Sequence, residues 1–191
     1  MVGNWDINVV VSKLPQKVAT AFANLGETII GATYTPIAYI GSQIVNGTNH
    51  AVLAEQTIIT GRDTKNIVLI IFNEKPEGVS LVNIERIVEG GLELGGTKID
   101  VETEIPEVAL SAFNEALGYF VGSTVEPFAL LATKITKGTD YIFVATVKPL
   151  ALEAKATVAL VTVNTLEKRI SFIDVIQPNL NKASLGYAFT W

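Results

Sequence analysis

Cysteine is absent from this 191-residue chain, and histidine and methionine occur once each. Without a thiol there is no disulfide, no thiolate nucleophile and no zinc–thiolate site, while the redox compartment stays open. The lone imidazole, His50, leaves no paired histidines for zinc, and no D-x-D-x-D-G loop is present for calcium. No cofactor or metal is expected. Positive charge is also scarce: 14 Lys and Arg stand against 19 Asp and Glu, for a net charge of −5, and the basic residues never form a run. Nucleic acid and anionic membrane surfaces are bound by basic patches, so neither is expected as a partner. Long apolar runs are missing too. The longest, Ile67 to Phe72, is far too short to cross a bilayer and suits a buried strand. Met1 leads straight into Gly3, Asn4, Trp5 and Asp6 with no basic n-region or cleavage site. The expectation is therefore a chain without a visible signal peptide, cytoplasmic or secreted after processing.

What the chain does have is apolar content, at 49% with 17% charged, which is a globular composition. It also has internal symmetry. A shift of 91 positions pairs Pro15 with Pro106, Phe22 with Phe113, Gly31 with Gly122 and Pro36 with Pro127. The same shift, without a gap, pairs Ile44 with Ile135, Gly47 with Gly138, Thr48 with Thr139, Ala54 with Ala145, Leu69 with Leu160, Asn73 with Asn164 and Ser80 with Ser171. Matches at one constant offset that include the punctuating Pro and Gly residues mark a duplication, with copies at residues 1–90 and 91–191, each a viable domain size.

The copies share a local grammar. A β-prone run, Trp5 to Val11, precedes Leu14, Val18, Ala21, Phe22, Leu25 and Ile29, whose spacing puts them on one helical face. Ile105, Ala109, Ala112, Phe113, Ala116 and Phe120 repeat that stripe. Pro15 and Pro106 are expected in the first helical turn, and Gly31 and Gly122 just past the end. Four strand-like segments then follow in the first copy, Ile37 to Val45, Thr48 to Thr60, Asn66 to Asn73 and Val79 to Ile87. They are parted by turn chemistry at Asn46-Gly47, Gly61-Arg62-Asp63 and Lys75-Pro76-Glu77-Gly78. Short dividers imply antiparallel hairpins, and the expectation is an α+β fold in which each copy packs one helix on an antiparallel sheet.

The stretch Gln43-Ile44-Val45-Asn46-Gly47-Thr48-Asn49-His50 stands out. Asn-Gly between β-prone residues predicts a tight hairpin of type I′, with positive φ at both central residues. The spacing Gln43, Val45, Gly47 resembles the Q-x-V-x-G loop of the cystatins, proteinaceous inhibitors of papain-like cysteine proteases. The element order β-α-β-β-β-β, the early Gly3 and the Pro76-Glu77-Gly78 hairpin near the family's usual Pro-Trp extend that resemblance over most of each copy. It implies two tandem cystatin-like repeats. It also implies a wedge of Gly3, the hairpin Gln43, Ile44, Val45, Asn46, Gly47, and the hairpin Pro76, Glu77, Gly78, entering a papain-like cleft and excluding substrate without chemistry of its own. The partner would be a protein, a papain-like protease.

Departures accompany the matches. Glu77 stands where the family has Trp, which removes an aromatic anchor and adds a carboxylate to desolvate. The second copy reads Lys134-Ile135-Thr136-Lys137-Gly138 at the first hairpin and Glu167-Lys168-Arg169 at the second, keeping the glycine and losing the wedge. A plain turn accounts for Val45 and Gly47, so a structural or protein-binding module without protease inhibition is the alternative. A latexin-type arrangement, two such halves acting on metallocarboxypeptidases, is a third reading by architecture alone. Gly95-Gly96 reads as linker. No G-x-S-x-G turn accompanies His50, which is expected on a strand surface, and the carboxylates Glu55, Asp63, Glu74, Glu77 and Glu85 are scattered. The chain is therefore expected to be non-enzymatic. Leu185, Tyr187, Phe189 and Trp191 alternate with small residues and predict a final strand that docks on the protein's own sheet.

Overall fold

A computed structural model describes residues 3–59, 64–91, 93–118 and 120–176. The chain divides into two compact units, residues 1–91 and 92–191. Unit 1 runs β1 (Trp5–Val11), α1 (Gln16–Gly26), β2 (Ala32–Val45), β3 (Gly47–Ile58), β4 (Thr64–Lys75) and β5 (Gly78–Glu89). Unit 2 runs β6 (Thr97–Glu102), α2 (Glu107–Leu117), β7 (Ser123–Thr136), β8 (Gly138–Pro149), β9 (Thr157–Asn164) and β10 (Ile170–Asp174). Each unit forms a five-stranded sheet in sequential order, β1-β2-β3-β4-β5 in the first and β10-β9-β8-β7-β6 in the second, and every pairing is antiparallel.

The expected α+β class, with cystatin-like repeats each made of a helix on a sheet, is overturned. The architecture is mostly β: strand accounts for 58% and helix for only 13%. Two physical facts explain the miss. The helices are short, 11 residues each, and stop at Gly26 and Leu117 rather than reaching Ile29 and Phe120. In α1 the low helix propensity of Gly26 and the Thr28 hydroxyl, which donates to the Leu25 carbonyl at 2.7 Å, both favour that stop. The strands, conversely, are long. Pro36 and Pro127 read as strand starts, yet each sits inside a 14-residue strand at a register shift, the position where a sheet tolerates a missing N–H. Pro15 and Pro106 lie just outside the helices with extended ψ near 140°, and the Pro15 carbonyl accepts the first helical N–H, that of Ala19. Gly31 and Gly122, at φ +92° and +101°, open β2 and β7 instead of capping the helices.

The unit 1 core gathers Val18, Ala21 and Leu25 from α1 with Tyr39, Val52, Ala54, Val68, Ile70 and Phe72 from the strands. In unit 2, Ala109 and Phe113 join Leu130, Phe143, Ala145, Val147, Ala159, Val161, Val163, Ile170 and Phe172. Strand β4 is buried on both faces, Ile67 and Leu69 as fully as Val68 and Ile70, so its apolar run does not alternate. The duplicated aromatics differ in setting. Phe113 is fully buried and meets Phe143 edge-on at 4.9 Å, whereas Phe22 is half-buried and meets Phe72 at 6.2 Å. The partner ring sits on β8 in unit 2 and on β4 in unit 1, with valine at each vacated equivalent, Val52 and Val163. Gly95-Gly96, expected as linker, forms a turn in which the Gly96 N–H donates to the Glu93 carbonyl. The predicted strand Leu185 to Trp191 lies outside the described residues.

Phe113→Ala should cost about 3–5 kcal/mol, the usual range for emptying a buried aromatic site. Phe22→Ala should cost distinctly less, because its ring is only half withdrawn from water. Denaturant midpoints of the two variants against wild type test this difference.

Candidate functional site

The end of the unit 1 sheet that carries the β2–β3 and β4–β5 connections assembles three chain segments. Val45 pairs with Gly47 and Ile44 with Thr48, so the first hairpin turns over a loop of Val45, Asn46 and Gly47. Only Gly47 in that loop has positive φ, at +97°. The geometry is that of a three-residue loop closed by a glycine bulge, not the predicted type I′ turn, which would need Asn46 at positive φ as well. The second hairpin is tighter: Lys75 pairs with Gly78 around Pro76 and Glu77. On the other side, the Gly3 N–H donates to the Ile44 carbonyl at 2.9 Å, which lays the N-terminal segment along β2.

The segments touch because glycines allow it. A Cβ on Gly47 would stand 2.6 Å from the Glu74 carbonyl oxygen and 2.8 Å from Lys75 Cγ, and one on Gly3 would stand 2.9 Å from the Ile44 carbonyl oxygen. Gly47 is thus required by its own neighbours as well as by its φ. Unit 2 repeats the device: Gly138 has φ +90°, and a Cβ there would meet Leu166 Cβ at 2.8 Å and Thr165 Oγ1 at 2.9 Å.

Of the residues singled out in the sequence, Gly3, Gln43 to Gly47 and Pro76 to Gly78 lie at this one end. Ile44 is 67% exposed, and Asn46, Pro76, Glu77 and Gly78 are exposed. Gln43 does not present itself outward. Its Nε2 donates to the Gly3 carbonyl at 2.9 Å and its Oε1 accepts from Asn49 Nδ2 at 3.1 Å. Asn49 Oδ1 in turn accepts from Asn73 Nδ2 at 2.8 Å. One chain of side-chain amides therefore crosses β4, β3 and β2 and ends on the N-terminal segment. Sequence reasoning missed Asn49 and Asn73 because a lone amide on a strand has no local signature. The available signal was that Asn73 recurs as Asn164 at the constant offset.

His50, expected on a strand surface, is buried, 8% exposed. It shares the helix-facing side of β3 with Val52 and Ala54, a phase that period-2 counting from the apolar run would have given. Tyr39 Oη lies 3.2 Å from Nδ1, and Nε2 lies 3.0 Å from Glu74 Oε2. With its proton on Nε2, the imidazole donates to Glu74 and accepts from Tyr39, satisfying both nitrogens. Burial pushes the Tyr39 phenol above its ordinary range; a hydrogen bond with Ser42 opposes this and the charge of Asp6 adds to it.

Among the described residues, one buried side-chain polar atom has no hydrogen-bond partner, Asn73 Oδ1. Its counterpart is satisfied: Asn164 Oδ1 accepts the backbone N–H groups of Leu166 and Glu167. The position equivalent to Glu167 is Pro76, which has no N–H, so one of those two donors is missing in unit 1. Among the described residues no cluster of three or more metal-ligating side chains occurs, and no helix is long and apolar enough to cross a membrane.

Gly47→Val and Gly138→Val should each destabilise the protein. Holding a non-glycine residue at positive φ costs about 1–3 kcal/mol before any clash with the neighbouring hairpin is counted; urea midpoints test both. A second expectation concerns alkaline pH. Below about 10, the ionisation of an unfolded phenol, Tyr39 keeps its proton in both states. Above it the unfolded chain ionises first, so stability falls until the native phenol also ionises. Tyr39→Phe should flatten that alkaline loss when urea midpoints are followed from pH 8 upward.

No protein-family model matches this chain, and no curated protein sequence is similar to it.

Proposed function

We propose that unit 1 is a non-enzymatic inhibitor that blocks the cleft of a papain-like cysteine protease in the manner of the cystatins. The observation that carries this reading is the meeting of Gly3, the Ile44–Gly47 tip and the Pro76–Gly78 tip at one sheet end. Three backbone segments in a row, with Ile44 exposed at the first tip, form a projecting edge whose small residues let a partner's walls approach the main chain. Such an edge acts by excluding substrate, so it needs no nucleophile or base. Gln43, half-buried beside the tip, also supports the edge from within through its hydrogen bond to the Gly3 carbonyl.

A second reading is favoured by unit 2. Gly138 forms the same bulged hairpin with the same register although Lys134 and Thr136 replace Gln43 and Val45. The tight hairpin is thus a requirement of the sheet as well, which supports a structural or protein-binding module with no protease target.

The deciding experiment is inhibition of several papain-like proteases by wild type, by Ile44→Asp and by Glu77→Trp. The inhibitory reading expects reversible inhibition without cleavage of the inhibitor and a loss of tenfold or more in Ile44→Asp. It also expects tighter binding for Glu77→Trp, as an aromatic anchor at an interface centre contributes more than about 1.4 kcal/mol, a factor of ten. No inhibition by wild type at micromolar concentration, with none gained by the Trp variant, would leave the binding-module reading standing.

A further inference from the structure

We infer that the amide chain Asn73–Asn49–Gln43–Gly3 is a positioning device that holds the N-terminal segment in register beside the first hairpin, so that the edge meets its partner already assembled. The inference rests on the inhibitory reading for its functional consequence, and on the geometry alone for the anchoring itself. Each rung is directional. Asn73 Nδ2 donates to Asn49 Oδ1, Asn49 Nδ2 to Gln43 Oε1, and Gln43 Nε2 to the Gly3 carbonyl. Each of the two middle places needs a side chain that both donates and accepts, which a carboxylate or an ammonium cannot do. Gly3 is gripped at both ends of its peptide functions, by Gln43 at its carbonyl and by the Ile44 carbonyl at its N–H. A free terminal segment would lose conformational entropy on docking, and a segment ordered beforehand avoids that cost.

Unit 2 supplies the internal control. Asn164 Nδ2 donates to Asp140 Oδ1 at 2.6 Å, the same first rung at equivalent positions. Asp140 is an acceptor only, so it cannot pass the chain on, and Lys134 stands where Gln43 would continue it. The first rung is therefore common to both units and belongs to the sheet, while the last two rungs exist only where the N-terminal segment joins the proposed edge. Asn49→Asp reproduces in unit 1 the arrangement that unit 2 already folds with: the Asn73 rung is kept and the Gln43 rung is lost. Gln43→Glu cuts one rung further on, keeping the bond from Asn49 and removing the donor to Gly3.

The test uses the full chain. In 15N-labelled wild type, Gly3 should show a backbone heteronuclear NOE typical of a strand. In Asn49→Asp and in Gln43→Glu it should drop to that of a free tail, with the urea midpoint nearly unchanged and unit 2 resonances unmoved. Inhibition of the most sensitive papain-like protease should weaken by tenfold or more in both variants, chiefly through slower association. Asn49→Gln, which restores a donor and an acceptor on one group, should recover part of both signals. An unchanged Gly3 NOE in both acceptor-only variants overturns the anchoring. A lost NOE with inhibition equal to wild type overturns the positioning role. A wild type that inhibits nothing overturns the inhibitory reading, and the NOE result then decides the anchoring independently.

Discussion

Register is the constraint on which each unit depends. Strands of 12 to 14 residues pair along nearly their whole length in unit 1, and a slip of one residue would turn every apolar side chain to the wrong face. The sheet therefore needs pins, and it has them at its turns and irregularities. Gly47 and Gly138 admit one loop geometry each, and the shifts at Pro36 and Pro127 fix the phase of β2 and β7 midway. Below the Gly47 tip the Tyr39–His50–Glu74 chain ties β2, β3 and β4 on the helix-facing side, where an unpaired imidazole would be costly to bury. The amide chain ties the same three strands one residue further out, on the opposite face of the sheet. Polar side chains near the sheet end thus add a directional lock to a pairing whose hydrogen bonds are otherwise repetitive.

How much of this was legible in the sequence follows from which signals are local. Strand β1 has the predicted bounds because its period-2 pattern ends in turn residues, and the duplication was readable because Pro and Gly recur at one offset. The hairpin at Asn46-Gly47 was legible as a turn but not as a bulged one, since the choice depends on which partner faces Val45. Helix ends were missed because Leu14, Ile29 and Phe120 pack against the cores from outside the helices and so complete a stripe that the backbone does not follow. The mostly β class was missed for a related reason: proline was weighted as a boundary when the sheet uses it at a bulge. The amide chain and the buried His50 network were illegible, being made of contacts between residues far apart in sequence.

The two units show what duplication leaves free to change. Asn73 and Asn164 keep the same first rung, but the Asn164 carbonyl oxygen accepts two backbone N–H groups and that of Asn73 none, and Pro76 stands without an N–H where Glu167 donates. The aromatic partner of the helix has moved from one strand to its neighbour between copies. At the far end of the unit 1 sheet, Gln56 Nε2 donates to Tyr34 Oη and Asn66 Nδ2 donates to Gln56 Oε1. The equivalent positions in unit 2 are Val125, Val147 and Thr157. Unit 1 is crossed by amides at both ends of its sheet, whereas unit 2 fills the second crossing with apolar side chains and a threonine that turns to Asp174.

That far chain has one more member: the Gly90 N–H donates to Asn66 Oδ1 at 3.2 Å. The backbone leaving β5 is thereby fastened to β4 one residue after its last strand pairing. Mechanical load arriving through the following residues would meet this side-chain latch before it reached the β4–β5 ladder. The latch also marks where unit 1 ends as a physical object: a cut made after Gly90 keeps its polar groups paired, whereas a cut made one residue earlier leaves Asn66 buried with an acceptor robbed of its donor.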